Sequence, residues 1–152
     1  MDAKAISETY ERDGYVSPVQ VLTEAEAAAH RERLEALEVA EGGLHYKAKL
    51  HTVMMSPLQM ATSPSVLDVV EALIGTDILL YDATYIIKEP GTEAHVSWHQ
   101  DLTYWGLSDD AQVSMWLALS PATEAAGCMR MIPGSHKQGV FDHETKDDPS
   151  NV

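Results

Sequence analysis

The pattern of apolar and polar positions changes character near residue 75. Before it, apolar residues recur at three- and four-residue intervals, the repeat of a helix with one buried face. Ile6, Tyr10 and their neighbours mark a short amphipathic segment that stops at Asp13-Gly14, where glycine supplies the backbone freedom that ends many helices. Tyr15–Val21 reads as a short extended run interrupted by Pro18. Thr23 then predicts an N-cap, and Glu26 three residues on completes a capping box. The helix that follows, Ala25–Ala40, is rich in Ala, Glu, Leu and Arg, all strong helix formers, and ends at Gly42-Gly43. A further helix is predicted over Pro64–Ile74. Ser63 caps it, Pro64 takes the first helical position, Gly75 closes it, and Leu67, Val70, Leu73 and Ile74 form its apolar stripe.

After Gly75 the pattern predicts strands. Ile78–Lys88, Ser97–Tyr104, Gln112–Leu119 and Cys128–Ile132 are the candidates. In the third, Val113, Met115, Leu117 and Leu119 alternate with Gln112, Ser114, Trp116 and Ala118. Pro90-Gly91, Ser108-Asp109-Asp110, Pro121 and Gly127 supply turns between them. Helices followed by consecutive strands argue for an α+β or helix-decorated β domain rather than alternating βαβ units. The expected organisation is one domain over 1–152, helical over 1–75, β-rich over 76–136 and a loop over 137–152.

Composition narrows the class. The chain has 152 residues, 45% hydrophobic and 22% charged, which suits one globular domain and excludes wholesale disorder. Its formal net charge is −14, with no basic patch, so binding to a phosphate backbone is not expected. No stretch approaches the ~20 apolar residues of a membrane span. The single cysteine, Cys128, excludes an internal disulfide and fits a reducing, cytoplasmic setting.

The densest chemistry lies in Val96-Ser97-Trp98-His99-Gln100-Asp101-Leu102-Thr103-Tyr104-Trp105. On a strand, positions i and i+2 share a face, so His99 and Asp101 project together. An imidazole and a carboxylate so placed suit two positions of the two-His, one-carboxylate site of non-haem iron(II) oxygenases. The plainer alternative is a surface His hydrogen-bonded to a nearby Asp. Gln100, by the same alternation, faces away from both.

Three stretches resemble the phytanoyl-CoA dioxygenase family, whose members depend on iron(II) and 2-oxoglutarate. They are Ile86-Ile87-Lys88-Glu89-Pro90-Gly91 leading into Trp98–Asp101 and Thr103-Tyr104-Trp105; Val113–Leu119; and Gly127–His136. Asp13-Gly14-Tyr15 and the Pro64–Gly75 helix are similar to the family's N-terminal part. The resemblance covers essentially the whole chain. It implies a double-stranded β-helix (jelly-roll, cupin-like) preceded by helices, incomplete at its C-terminus. It implies that His99 and Asp101 are metal ligands for iron(II). It also implies that Lys88, Gln100, Trp116 and Thr84 bind the cosubstrate 2-oxoglutarate.

Plainer readings stand beside these. Lys88 precedes a Pro-Gly turn and reads as a solvated strand-end lysine. Trp116 reads as core packing, His136 as part of a turn, and His30 as a solvated helix residue. His143 lies in a polar segment with no apolar strand around it. The family's second His and the Arg that anchors 2-oxoglutarate have no counterpart downstream of Asp101, so both are expected beyond Val152. The function implied is hydroxylation of a small-molecule substrate, with decarboxylation of 2-oxoglutarate to succinate. Asp101, the carboxylate that related halogenases lack, favours hydroxylation over chlorination. The alternative is a non-catalytic cupin-like binding module or an inactive truncated fragment. No nucleic-acid or membrane partner is expected, and the sequence leaves the oligomeric state open.

Overall fold

The structure is a computed structural model in which residues 2–109, 111–144 and 147–151 are described. Asp110 of the predicted 108–110 turn lies outside them, as do Thr145, Lys146 and Val152 of the polar C-terminal run. Three of the four α-helices of the first half form where the pattern predicts them. Helix α1 spans Ala3–Asp13, α2 Glu24–Glu41, α3 Met55–Ala61 and α4 Pro64–Ile74. The capping box at the start of α2 is complete. Thr23 Oγ1 accepts the Glu26 N–H at 3.2 Å, and Glu26 Oε2 accepts the Thr23 N–H at 2.7 Å. Ser63 stands at the N-cap of α4, but its hydroxyl caps nothing and donates instead to the Met60 carbonyl at 3.1 Å. Helix α3 has no capping side chain and only seven residues, which explains why sequence reading passes over it.

Gly14 ends α1 in the left-handed region (φ 82°), and its N–H returns to the Tyr10 carbonyl at 2.7 Å. A Cβ at Gly14 would run into the His136 ring. His136 also hydrogen-bonds the Glu11 carbonyl at 3.1 Å, and Gly134 N–H donates to Asp13 O at 2.7 Å. The Pro133–His136 turn is thus seated on the open C-terminal end of α1, where carbonyls need donors.

The second half corrects the expected fold class. No ladder of strands, and so no jelly-roll or cupin-like barrel, forms among the described residues. Among the described residues the bridges are isolated, His45 with Tyr85 and His95 with Asn151. The reason lies in where a strand's hydrogen bonds go. They run between segments, so alternation shows that a segment is extended but not that it has a partner. Residues 78–88 form no strand and instead hydrogen-bond to the 44–50 loop. Tyr46 N–H donates to Tyr85 O at 2.9 Å and Leu50 N–H to Ala83 O at 3.0 Å. Residues 112–119 make no backbone–backbone bond to another segment among the described residues. Residues 97–104 are not a strand at all. Local bonds from Thr103 N–H to Gln100 O (3.2 Å) and Tyr104 N–H to Asp101 O (3.0 Å) wind them into a short helix, α5, Leu102–Trp105.

One apolar cluster joins both halves. Leu34, Leu44, Leu50, Met60 and Tyr85 are buried together, with Leu22, Leu37, Met54, Ile87, Leu117 and Leu119 packed around them. Ile6 of α1 and Val66 of α4 are buried where those two helices pack. His30, expected in solvent, is buried on α2 and lies 2.6 Å from Ser56 Oγ of α3. Many apolar side chains of the second half stay exposed, Leu79 at 83% and Trp98 at 64% among them. No helix among the described residues is long and apolar enough to cross a membrane.

Candidate metal centre around His99 and Asp101

The turn into α5 brings His99 and Asp101 together by a different geometry from the expected strand. Asp101 has helical backbone angles (φ −56°, ψ −42°), and its Oδ1 lies 3.1 Å from His99 Nε2. His99 Nδ1 lies 2.8 Å from the Ser97 carbonyl, which can only accept, so this nitrogen carries a proton. A ring that donates from Nδ1 turns the lone pair of Nε2 toward the carboxylate. Two such acceptors at this distance need a second proton or a cation between them. Asp101 Oδ2 accepts a hydrogen bond from the Ser114 hydroxyl. The outer atoms of both side chains are therefore tied to the protein, and the inner atoms face each other. Both side chains are a little over a third exposed, so the pair is reachable from solvent.

Aromatic side chains surround the pair. The Tyr104 ring of α5 lies edge-on to His99, 6.1 Å between centroids. Tyr10 of α1 and Tyr46 of the 44–50 loop both feel the carboxylate. Burial pushes each phenol's pKa up, and the negative charge of Asp101 adds to the rise. Tyr46 holds a left-handed backbone (φ 52°), as does Lys49 (φ 58°), uncommon for residues with a side chain. The loop is pinned in that shape along 81–87. Besides the two backbone bonds, Ile87 N–H donates to His45 Nδ1 at 2.8 Å, and Lys49 Nζ to Tyr81 O at 2.7 Å. Lys49 also sits 4.2 Å over the Tyr81 ring, which stacks on Trp105 at 5.0 Å, so the end of α5 is fixed to the same loop.

The other predicted site residues are placed as follows. Lys88 donates its ammonium to the Gly127 carbonyl, and Gly127 (φ 68°) leaves the space where a Cβ would meet that ammonium. The Thr84 hydroxyl donates to Lys47 O at 2.9 Å. Trp116 is 44% exposed, neither core packing nor in contact with the pair through any hydrogen bond. Gln100 turns away from His99 and Asp101. Its Nε2 donates to Gly139 O at 2.9 Å, and its Oε1 accepts the Phe141 N–H at 2.8 Å. Two residues that the sequence reading did not place are here. Ser114 had a signal, since alternation puts it with Gln112 on the polar side of 112–119. His143 had none. Among the described residues no three His, Cys, Asp or Glu side chains gather into a metal-holding cluster. A cavity of about 560 Å³ between α1 and α4, lined by Ile6, Val19 and Asp68 among others, lies away from all these residues.

The sequence profile of the phytanoyl-CoA dioxygenase (PhyH) family matches residues 10–151. The chain belongs to the phytanoyl-CoA dioxygenase family. It is 45% identical over 56 residues to phytanoyl-CoA dioxygenase 1 of Oryza sativa, covering 37% of this chain and 20% of that protein. It is 31% identical over 84 residues to a probable alpha-ketoglutarate-dependent hypophosphite dioxygenase of Stutzerimonas stutzeri, covering 55% of this chain and 29% of that protein. It is 24% identical to L-proline trans-4-hydroxylase of Streptomyces griseoviridis across 93% of this chain and 57% of that one. The matches therefore span less than two thirds of the length of each of these relatives. No solved structure matches the chain.

Proposed function

We propose that this chain carries iron(II)- and 2-oxoglutarate-binding residues of an oxygenase that hydroxylates a small molecule. The observation that supports it most is the facing of His99 Nε2 and Asp101 Oδ1 at 3.1 Å, with the far atom of each held by Ser97 or Ser114. A metal ion between them would replace the proton that this contact otherwise needs, and ligating His and carboxylate groups are commonly fixed by such outer bonds. The donor set, one imidazole and one carboxylate, suits iron(II). It leaves the remaining coordination positions to groups other than the described side chains. Bound iron(II) with 2-oxoglutarate would supply oxidising chemistry, coupling decarboxylation of the cosubstrate to oxygen insertion into the substrate.

The chain's own residues divide the rest of the work. Lys88 would offer a cation to a cosubstrate carboxylate by exchanging the Gly127 carbonyl for it. Thr84 and Trp116 are the proposed neighbours of that cosubstrate, and Gln100 would join them only by releasing the 139–141 backbone. Tyr104, edge-on to His99, would offer an aromatic face beside the metal-binding pair. Relatives named for phytanoyl-CoA, proline and hypophosphite chemistry share no one substrate, so the reading stops at the small-molecule class. The chain is proposed to act as one domain, because Leu34 and Leu119 share one core cluster.

The second reading is a non-catalytic binding module. It is favoured by the lack of a third clustered metal donor among the described residues. Anaerobic addition of iron(II) and 2-oxoglutarate separates the two. A weak visible charge-transfer band, lost in His99→Ala, is the result expected for the oxygenase. Well-folded protein without the band overturns it in favour of the binding module.

A further inference from the structure

The peptide N–H between the two candidate ligands has an unusual partner. Gln100 N–H donates to Nε2 of His143, 2.9 Å away and 43 residues downstream. A nitrogen that accepts an N–H carries no proton of its own. His143 Nδ1 lies 2.8 Å from the Phe141 carbonyl, which only accepts, so the ring's proton sits there. The Thr103 hydroxyl lies 3.3 Å from the same Nδ1. The ring also stands edge-on to Tyr104, 5.6 Å between centroids. From the other side, the Gln100 side chain brackets the same segment by its bonds to Gly139 O and Phe141 N–H. Residues 139–143 are thus held to 100–104 through both the main chain and the side chain of Gln100.

We propose that His143 is a positioning residue that latches segment 139–143 onto Gln100 and so holds His99 and Asp101 in register for a metal ion. The positioning role rests on the oxygenase reading of that pair; the latch does not. The chemistry of the arrangement is specific. Only an imidazole with its proton on Nδ1 can accept from Gln100 and donate to Phe141 at once. Free neutral imidazole has no such constraint, so the tautomer reports the latch directly. The main-chain bond also acts where a metal site is sensitive. Gln100 is the one residue linking the two ligands, and a small rotation of its peptide would change the 3.1 Å separation of Nε2 and Oδ1.

The test combines two measurements on the full chain. The first is the side-chain ¹⁵N–¹H spectrum of His143 at about pH 8, where an ordinary imidazole is neutral. Protonation at Nδ1 is expected; an Nε2–H tautomer overturns the latch, and no variant has to fold for this answer. The second is Mn(II) affinity, with Mn(II) standing in for iron(II). His143→Ala should weaken binding about tenfold or more, the usual cost of losing an outer partner of a metal site. His143→Gln, whose amide oxygen can still accept from Gln100, should recover most of it. Unchanged affinity in His143→Ala, or no recovery in His143→Gln, overturns the positioning role. Wild-type protein that keeps the Nδ1–H tautomer but binds no Mn(II) fails the oxygenase reading and the positioning role with it, and leaves the latch standing.

Discussion

Residues 3–74 and residues 78–143 are built on opposite principles. The first region is mostly helical, and the backbone hydrogen bonds of its helices close within each helix, so the order of those helices is local. The second has little regular secondary structure among its described residues, and its order comes from side chains that reach across. Lys88 holds Gly127, Gln100 holds Gly139 and Phe141, His143 holds Gln100, and Ser114 holds Asp101. The buried core draws on α2, the 44–50 loop and α3, with Tyr85 the one buried apolar contribution from the second region among the described residues. The proposed metal-binding residues, His99 and Asp101, lie in the second region. Stability and function are therefore expected to respond to different substitutions.

The largest effect should come from the core. Leu34 is buried among Leu44, Leu50, Met60 and Tyr85. Leu34→Ala is expected to cost about 2–5 kcal/mol, combining lost transfer energy with the cavity left behind. Urea denaturation measures it. Below the unfolding transition, the Mn(II) affinity of the folded variant should match wild type. A large loss of affinity at full folding would show that the two regions are not separable.

Ser114→Ala is the converse. It removes the donor to Asp101 Oδ2 and touches none of the buried core. Mn(II) affinity should fall about tenfold, and Ser114→Thr should restore it, while the urea midpoint stays near wild type. Equal affinity in Ser114→Ala would remove Ser114 from the site.

The same contrast explains what could be read in advance. Thr23 and Glu26 announced α2 because a capping box is written in four consecutive residues, and Gly14 and Gly42 announced helix ends for the same reason. The strand expected at 78–88 does not form a ladder, and its actual partner was not legible. Nothing in the sequence of 44–50 says that Tyr46 and Leu50 will pair with Tyr85 and Ala83. The expected strand at 97–104 failed because local turn bonds at Gln100 and Asp101 won over extension. The nearness of His99 and Asp101 survived that failure, since residues two apart can meet in a turn as well as on a strand. His143 could not be found, because its partner lies 43 residues away with no shared motif.

Helix starts offer a smaller and sharper test. Thr23 makes its cap bond and Ser63 does not, although both occupy the same position relative to their helices. Thr23→Ala should cost about 1 kcal/mol in urea denaturation. Ser63→Ala should cost less, since it loses only bonds to Met60 O and the Ser65 hydroxyl. Equal losses would mean that the N-cap position, not the bond, carries the energy.

The smallest effect concerns pH and isolates the first region again. His30 is buried, and desolvation holds its pKa below the ordinary imidazole value of 6.5. The charge of Arg33 lowers it further, and Glu26 opposes the shift. Ser56 Oγ, 2.6 Å from Nδ1, can donate or accept, so protonation need not break that bond; the cost is burying the charge. In the unfolded chain the ring binds its proton near 6.5. Between that value and the lower folded one, the unfolded state holds more protons. Stability therefore rises with pH through this window. His30's share of it is complete above 6.5 and is lost as pH falls toward the folded value. Urea midpoints measured from pH 7.5 to 5.5 should fall more steeply in wild type than in His30→Gln, which keeps a polar partner for Ser56 without the titration. Parallel slopes would mean that His30 is solvated after all, and that α2 and α3 do not close over it.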